Sequence, residues 1–306
     1  MISDKWIDDT LYKAKAEASD LQPWHDYFES KARELRTILR FSGCGDADSV
    51  LEIGCGNGFT ALLLSEKAKR VEAFDLPLKD PVSHSMGIGA ANELVKRLNS
   101  INVHVTGGSA ETLPFKDGSF RLIFSEYALQ YVKNKDKALM EMHRVLTDDG
   151  RIIMVVPNFM ERVFSPIMKY KYAAQRILSR IFKSGHAKAV SAAQGGAGCP
   201  QSACAQDKLA ALRDQLLLRP DGAYKSFMEE MFRHTPGSWK KLFERNGFKV
   251  VNTFSTQILP LGVFDILGTS VVRFLSHRSH YLNDRLGGLP LIKNIGYSIG
   301  LVIEKG

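Results

Sequence analysis

Cysteine is scarce in this chain of 306 residues, which contains four of them: Cys44, Cys55, Cys199 and Cys204. So few cysteines in a chain of this length do not make the disulfide framework of a small secreted domain. The last two lie close together, but no second pair of Cys or His residues accompanies them at the spacing that zinc sites use. We therefore expect reduced thiols in a cytoplasm and no metal site.

Apolar segments that target or anchor a chain are also lacking. Residues 1–20 mix acidic, basic and apolar side chains, unlike the basic start and apolar core of a secretory signal. A long apolar stretch at 258–275 is interrupted by Pro260, Asp265 and Arg273, which disfavours a membrane-spanning helix. We therefore expect a cytoplasmic protein without a secretory signal.

The first half of the chain lacks a net positive charge, and the excess of basic residues lies in the second half. Residues 1–158 contain 20 basic and 23 acidic residues, whereas residues 159–306 contain 21 and 10. A basic half is compatible with an anionic membrane surface, an anionic substrate or nucleic acid, and also with a solvated face that binds nothing. The apolar stretches 258–275 and 286–295 lie in this half. They indicate an element at a membrane surface or the wall of a pocket for an apolar substrate, unless they only cover the sheet.

Short apolar, β-branched runs alternate with helical patterns between residues 49 and 156. This alternation predicts an α/β protein with a Rossmann-like, doubly wound sheet of seven mostly parallel strands. We divide the chain into a helical lid (1–41), a core (42–158), a helical insertion with a flexible loop at 186–205 (159–235), and the last strands of the core with an apolar helical segment at 258–295 (236–306).

A glycine-rich loop directly follows the first predicted strand and contains Gly54, Gly56 and Gly58. Such a loop lets the backbone come close to a bound nucleoside and keeps the next helix tight against the sheet. Asp75 ends the second predicted strand, where an acid can accept hydrogen bonds from ribose hydroxyls. The order of strand, loop, helix, strand and acid predicts an adenosine site.

The spacing and charge of this loop favour one adenosine ligand over another. Dinucleotide sites use Gly-x-Gly-x-x-Gly and place a helix N-terminus against a pyrophosphate. Here the spacing is Gly-x-Gly-x-Gly, and Glu52 precedes it. A carboxylate suits a ligand with an ammonium group and is badly placed for a pyrophosphate. S-adenosylmethionine is therefore favoured over NAD.

These features resemble class I S-adenosylmethionine-dependent methyltransferases, above all the small-molecule family that includes the methyltransferases of ubiquinone and menaquinone synthesis. The resemblance rests on residues 50–58, Asp75, the run 108–115, and Glu141 with residues 144–146 before Gly150. It covers about residues 25–157 closely. Its motifs are specific to the fold and the cofactor, not to a substrate.

The resemblance implies nine cofactor-binding residues: Glu52, Gly54, Gly56, Gly58, Asp75, Leu76, Ser109, Ala110 and Ser125. The three glycines would approach the cofactor, and Glu52 would reach its amino group. Asp75 would hold the ribose, and Leu76 would pack on the adenine.

Further along the chain, the resemblance places Ser109 and Ala110 at the adenine edge and Ser125 at the methionine part or the methyl group. This chain departs from the family pattern at Ser109, where the family usually has an acid, and at Arg121, where it usually has Asp. The stretch 76–86 is also longer than usual. With Ser109, recognition of the adenine amino group would rest on the backbone, and Arg121 is expected to be structural. The longer stretch would reshape the adenine rim, and none of the three departures removes the site.

Two residues are candidates for contact with the methyl acceptor: Glu126 and Tyr131, after the fourth predicted strand. An oxygen nucleophile needs a general base, and no His stands at this strand end. Glu126 as a helix start and Tyr131 as core packing are the structural alternatives. His143 is expected to face solvent, and His234 is a weaker candidate for the pocket. In the lid, the candidates to line the pocket are Trp24, His25 and Tyr27.

The sequence thus predicts a methyltransferase that transfers the sulfonium methyl by direct in-line displacement to a small, hydrophobic or lipid-linked acceptor. A non-catalytic S-adenosylmethionine-binding scaffold and an NAD-linked oxidoreductase are the alternatives. Nucleic acid is disfavoured as a substrate because no Asn-Pro-Pro-Tyr-type motif follows the fourth strand. The oligomeric state is left open.

Overall fold

A computed structural model of the chain describes residues 5–18, 22–43, 45–77, 87–164, 170, 224–257, 282 and 285–306. The predicted flexible loop at 186–205 and most of the apolar segment 258–295 lie outside the described residues. Within the described ranges, no helix has the length and apolar character needed to cross a bilayer.

Strands and helices alternate as the sequence predicts. The strands are β1 (Ala47–Ile53), β2 (Ala68–Asp75), β3 (Val103–Gly107), β4 (Phe120–Glu126), β5 (Leu146–Pro157), β6 (Phe248–Gln257) and β7 (Ser298–Lys305). The helices are α1 (Lys5–Glu17), α2 (Gln22–Ser42), α3 (Phe59–Ser65), α4 (Ile88–Arg97), α5 (Lys135–Val145), α6 (Phe227–Arg233), α7 (Pro236–Glu244) and α8 (Pro290–Ile295). A short 3₁₀ turn spans Leu129–Tyr131.

The described strands form one seven-stranded sheet in the order β3-β2-β1-β4-β5-β7-β6. β7 runs antiparallel to both of its neighbours, β5 and β6, and the other pairs are parallel. The predicted Rossmann-like fold is confirmed. The strand order reverses between β1 and β4, so a crevice opens at the carboxyl ends of these strands, the usual ligand position in such sheets.

Helices cover both faces of the sheet, which explains why its strands are apolar almost throughout. Side chains alternate along β1: Val50 packs in a core with α1 to α4, and Leu51 packs on the opposite face with α5 and α7. The second core contains the fully buried Phe243 and the nearly buried Trp239 of α7. Both faces are therefore closed, and the carboxyl edge is left for function.

Helix α2 is fastened to the last strands by an aromatic contact and a hydrogen bond. Phe41, near its end, stacks on Phe254 of β6 with ring centroids 5.5 Å apart. Asn252 donates from Nδ2 to the Phe41 carbonyl at 2.8 Å. Phe254 lies over Gly300 of β7, where a Cβ would meet its ring atoms at 2.3 Å. The absent side chain at residue 300 therefore lets Phe254 lie flat beneath the helix.

We expect Gly300→Ala to lower the free energy of unfolding by about 1–3 kcal/mol, because overpacking displaces the Phe254 ring from beneath Phe41. Gly237→Ala in α7 is the matched control, since a Cβ there meets no atom within 4 Å. Urea unfolding of both variants measures the difference. Equal stability of the two variants would contradict this account of the packing.

Candidate active site

A cavity of about 710 Å³ opens at the carboxyl ends of β1, β2 and β4. This volume is in the range of small-molecule and cofactor sites. Seven of the nine predicted cofactor-binding residues and both predicted acceptor-contacting residues line it: Glu52, Gly54, Gly56, Asp75, Leu76, Ser109, Ala110, Glu126 and Tyr131. The strand topology therefore brings together residues that are distant in sequence.

The glycine loop forms the cavity wall with bare backbone. Gly54 and Gly56 have φ values of 83° and 55°, in the left-handed region that favours glycine. A Cβ on Gly54 would lie 2.3 Å from the Cβ of Ala128, which follows β4. Any side chain at residue 54 would therefore force β1 and β4 apart at the site.

Gly58 lies where the glycine loop meets the next helix. It caps the N-terminus of α3 with a φ of 78° and is not among the residues that line the cavity. A Cβ there would lie 3.0 Å from the Cβ of Ala91 in α4. Gly58 therefore lets α3 and α4 pack closely, and its approach to the cofactor stays a prediction.

Asp75 holds the glycine loop from the end of β2. Its Oδ2 accepts a hydrogen bond from Gly56 N at 2.9 Å, and its Oδ1 accepts one from Leu76 N at 2.7 Å. Burial raises the pKa of Asp75, although both backbone hydrogen bonds act to lower it. Each carboxylate oxygen can accept a further hydrogen bond, so Asp75 can bind ribose hydroxyls while it holds the loop.

The predicted adenine end of the cavity is lined by Phe74, Leu76, Ser109 and Ala110. Leu76 is 55% exposed, so its side chain is available to cover a ligand. Ser109 accepts a hydrogen bond at Oγ from Glu111 N at 3.2 Å, which orders the turn after β3. This end of the cavity is lined by apolar side chains with a polar residue at its edge, which suits the flat ring and the polar edge of a purine.

Glu52 lies at the other end of the site and is only 3% exposed. Its Oε2 atom is buried and has no hydrogen-bond partner among the described residues. Burial, and then the charge of Glu126, raise the pKa of Glu52 well above its usual value. A ligand ammonium would satisfy this carboxylate, so the residues present fit S-adenosylmethionine.

Ser125 is not among the residues that line the cavity, and its place at the methionine part or the methyl group stays a prediction. It is fully buried in β4, and its Oγ donates to the Ile53 carbonyl at 2.9 Å. The hydroxyl is used between β1 and β4, where it joins the two strands just below the glycine loop.

Glu126, the next residue, does face the cavity. Its Oε2 lies 3.2 Å from Lys31 Nζ and 3.4 Å from Thr60 Oγ1. Its Oε1 is buried and has no hydrogen-bond partner among the described residues. Burial raises the pKa of Glu126 to about 7, and the Lys31 charge limits the rise. This is a carboxylate poised to exchange a proton near neutral pH.

The other candidates are placed differently. Tyr131 lines the cavity but is 57% exposed, so it lies at the rim. Tyr27 of α2 lines the cavity, whereas His25 is not among the lining residues and the side chain of Trp24 lies outside the description.

Neither His143 nor His234 belongs to the site. His143 packs edge-on against Phe248, with ring centroids 5.2 Å apart, and is half-buried. His234 is fully buried and stacks on Trp239 at 5.5 Å. Burial, and then the charges of Arg162 and Lys135, lower the pKa of His234 to about 3, which keeps this ring neutral.

Several lining residues were missed from the sequence, among them Lys31 and Tyr127. Tyr127 has a φ of 51°, which is unusual for a residue with a side chain, at the turn directly after β4. Lys31 interrupts the apolar stripe of α2, midway between Tyr27 and Leu35 at helical spacing. A lysine on the buried face of a helix was therefore the available signal.

The fold and this site define a Rossmann-like protein of the class I S-adenosylmethionine-dependent methyltransferase type. Residues 45–247 match a family model described as a methyltransferase domain. This match covers more than half of the chain, which therefore belongs to this methyltransferase family. S-adenosylmethionine is the cofactor that the family uses, in agreement with the loop spacing and Glu52.

Curated relatives match over the cofactor-binding half. An uncharacterized methyltransferase of Bacillus subtilis, YcgJ, is 32% identical over 133 residues, which are 41% of this chain and 47% of that protein. The ubiquinone/menaquinone biosynthesis C-methyltransferase UbiE of Haemophilus ducreyi is 30% identical over 150 residues, or 48% of this chain and 55% of that protein. The matches thus span about half the length of these relatives.

A solved structure supports the fold. The geranyl diphosphate C-methyltransferase of Streptomyces coelicolor A3(2) superposes with a TM-score of 0.50 at 13% identity. The superposition covers 92% of this chain and 78% of that one. At this level of identity the likeness concerns the fold alone.

We expect Asp75→Ala to weaken S-adenosylhomocysteine binding by roughly 1–3 kcal/mol, because it leaves ribose hydroxyls and the Gly56 N–H without a partner. The exposed Asp9→Asn in α1 is the control and should bind as the parent does. Isothermal titration calorimetry gives both affinities. An unchanged affinity in a folded Asp75→Ala protein would overturn the ribose assignment.

Proposed function

We propose that this chain transfers the methyl group of S-adenosylmethionine to a small, hydrophobic or lipid-linked acceptor, with Glu126 as the general base. The observation that carries the proposal is the unpartnered Oε1 of Glu126 in the same cavity as Glu52 and the glycine loop. The same cavity therefore contains a site for the methyl donor and a buried carboxylate that can take a proton from the acceptor.

The chain's own residues would hold the cofactor by its ends. Asp75 would bind the ribose, Leu76 and Phe74 would enclose the adenine, and Glu52 would accept hydrogen bonds from the ammonium group. When bound, S-adenosylmethionine supplies a methyl group that its sulfonium already activates. The protein then needs to orient the acceptor in line with that methyl group and to exclude water.

Glu126 supplies the remaining chemistry. An O–H or an acidic C–H acceptor must lose its proton as the new bond to carbon forms, and the Oε1 atom of Glu126 is available to take it. Because burial raises the pKa of Glu126 to about 7, the carboxylate is both populated and basic at neutral pH. Lys31 and Thr60 hold the Oε2 atom, so the carboxylate is presented in one orientation.

We expect Glu126→Gln to lower kcat by about 10²–10⁴-fold with little change in S-adenosylhomocysteine affinity, since the amide cannot accept the proton. In the parent protein, activity should rise with pH through about 7 as Glu126 loses its proton. Transfer of tritium from methyl-labelled cofactor to a bacterial lipid extract measures both.

Glu93→Gln, in the exposed face of α4, is the control for this experiment and should keep full activity. A Glu126→Gln protein with normal activity would refute the base. Tight cofactor binding by the parent without transfer to any acceptor fraction would favour the scaffold alternative.

An apolar acceptor is supported by the UbiE relatives, whose name assigns them to quinone biosynthesis. A preference for an apolar acceptor also fits a location in the cytoplasm at an anionic membrane surface. Helix α8 has no buried residue, and Leu289, Leu291 and Ile295 in and beside it are exposed. Lys293 stands among them, in the basic half of the chain. Exposed apolar side chains beside a cation are typical of an element that lies in a membrane interface.

We expect the protein to float with phosphatidylglycerol vesicles at low salt, less so at high salt, and not with phosphatidylcholine vesicles. Leu291→Asp should reduce flotation at least severalfold, because it puts a charge among the exposed apolar residues. Ile101→Asp, at a side chain that is 93% exposed before β3, is the matched control. Equal flotation of the two variants would remove α8 from the membrane proposal.

A further inference from the structure

Two opposite charges on helix α2 face Glu126. Lys31 and Glu34 are one helical turn apart, and Lys31 Nζ lies 3.4 Å from Glu34 Oε2 and 3.2 Å from Glu126 Oε2. The Lys31 side chain is 14% exposed and that of Glu34 is 9% exposed. A single ammonium group is therefore shared by two carboxylates that are distant in sequence.

Glu34 is held in place by hydrogen bonds from outside α2. Tyr127, directly after β4, donates its hydroxyl to Glu34 Oε1 at 2.8 Å, and Thr256 of β6 donates to the same oxygen at 3.0 Å. Thr256 in turn lies 2.6 Å, hydroxyl to hydroxyl, from Ser298 at the start of β7. The carboxylate therefore occupies one position relative to the sheet, and it fixes the position of Lys31.

Lys31 also contacts the aromatic ring of Tyr127. Its Nζ lies 5.0 Å from the centroid of the Tyr127 ring, within the distance of a cation–π contact. Burial alone would lower the pKa of Lys31, but the charges of Glu126 and Glu34 outweigh it and raise that pKa well above its usual value. The ammonium form is thus the one present beside Glu126.

We propose that Lys31 and Glu34 are positioning residues that act on Glu126 in opposite directions, Lys31 to keep it ionised and Glu34 to keep it basic. The proposal rests on the proposed role of Glu126 in methyl transfer. It assigns to the lid helix a second task besides covering the cavity, namely to set the proton affinity of the base.

The surroundings of Glu126 contain few other charges that could act in this way. The groups that face it are Tyr27, Lys31 and Glu34 from α2, Glu52 from β1, Thr60 from α3, and Tyr127 beside it. Burial raises the pKa of Glu126 most, Lys31 lowers it, and Glu34 raises it. Within the part of the chain that the structure describes, Lys31 Nζ is the ammonium that contacts both Glu126 and Glu34.

The experiment follows the side-chain carboxyl of Glu126 by NMR in protein labelled with ¹³C-glutamate, with Glu126→Gln to assign the signal. We expect Glu34→Gln to move the titration midpoint of Glu126 down by roughly one pH unit and Lys31→Gln to move it up by a similar amount. Lys31→Arg restores the charge and should return the midpoint to that of the parent. Glu34→Gln keeps an acceptor oxygen for Tyr127 and Thr256, so the hydrogen-bonded network survives.

Opposite shifts that Lys31→Arg reverses are the supporting result. Shifts of the same sign, or an unmoved midpoint in a folded Glu34→Gln protein, overturn the proposal even if Lys31→Gln does not fold. Rates of methyl transfer decide the proposed function separately. The titration midpoints could move as expected while the pH–rate profiles do not follow them. That result would refute Glu126 as the general base but would support the effect of Lys31 and Glu34 on its proton affinity.

Discussion

The site depends on a small set of hydrogen bonds that join the glycine loop to the end of β2. Gly54 N and Cys55 N donate to the Phe74 carbonyl at 2.8 and 3.2 Å, and Gly56 N donates to Asp75 at 2.9 Å. These bonds turn the chain out of β1 and across the top of β2, with bare backbone toward the cavity. They also orient the Asp75 carboxylate toward the same cavity, so the loop and the acid are each held by the other.

The second constraint is the burial of negative charge. Glu52 and Glu126 are both buried, burial raises the pKa of each, and within the described part of the chain Lys31 is the ammonium that contacts Glu126. Buried carboxylates without full partners destabilise a fold, so their presence at the cavity is explained by function and not by stability. A ligand that carries a sulfonium and an ammonium group complements this charge, whereas a pyrophosphate would be repelled by it.

Sequence reasoning predicted the sheet, the glycine loop and Asp75 because these are local patterns: a buried strand, a spacing of glycines and an acid at a strand end. Gly58 and Ser125, also predicted for the site, are not among the lining residues and contact Ala91 and Ile53 of other elements, which the motif alone does not show. Lys31 and Glu34 act through contacts with β4, β6 and β7, up to more than two hundred residues away, which no local pattern contains. The only sign of this pair in the sequence was the lysine within the apolar stripe of α2.

The central claim is that this cavity binds S-adenosylmethionine, with Glu52 at the ammonium group of the ligand and Asp75 at its ribose. The most direct test is isothermal titration of the parent protein with S-adenosylhomocysteine, with NADH titrated in parallel. The account predicts micromolar binding of the first and no heat of binding for the second. Binding of NADH, or no binding of S-adenosylhomocysteine to the folded protein, would contradict it.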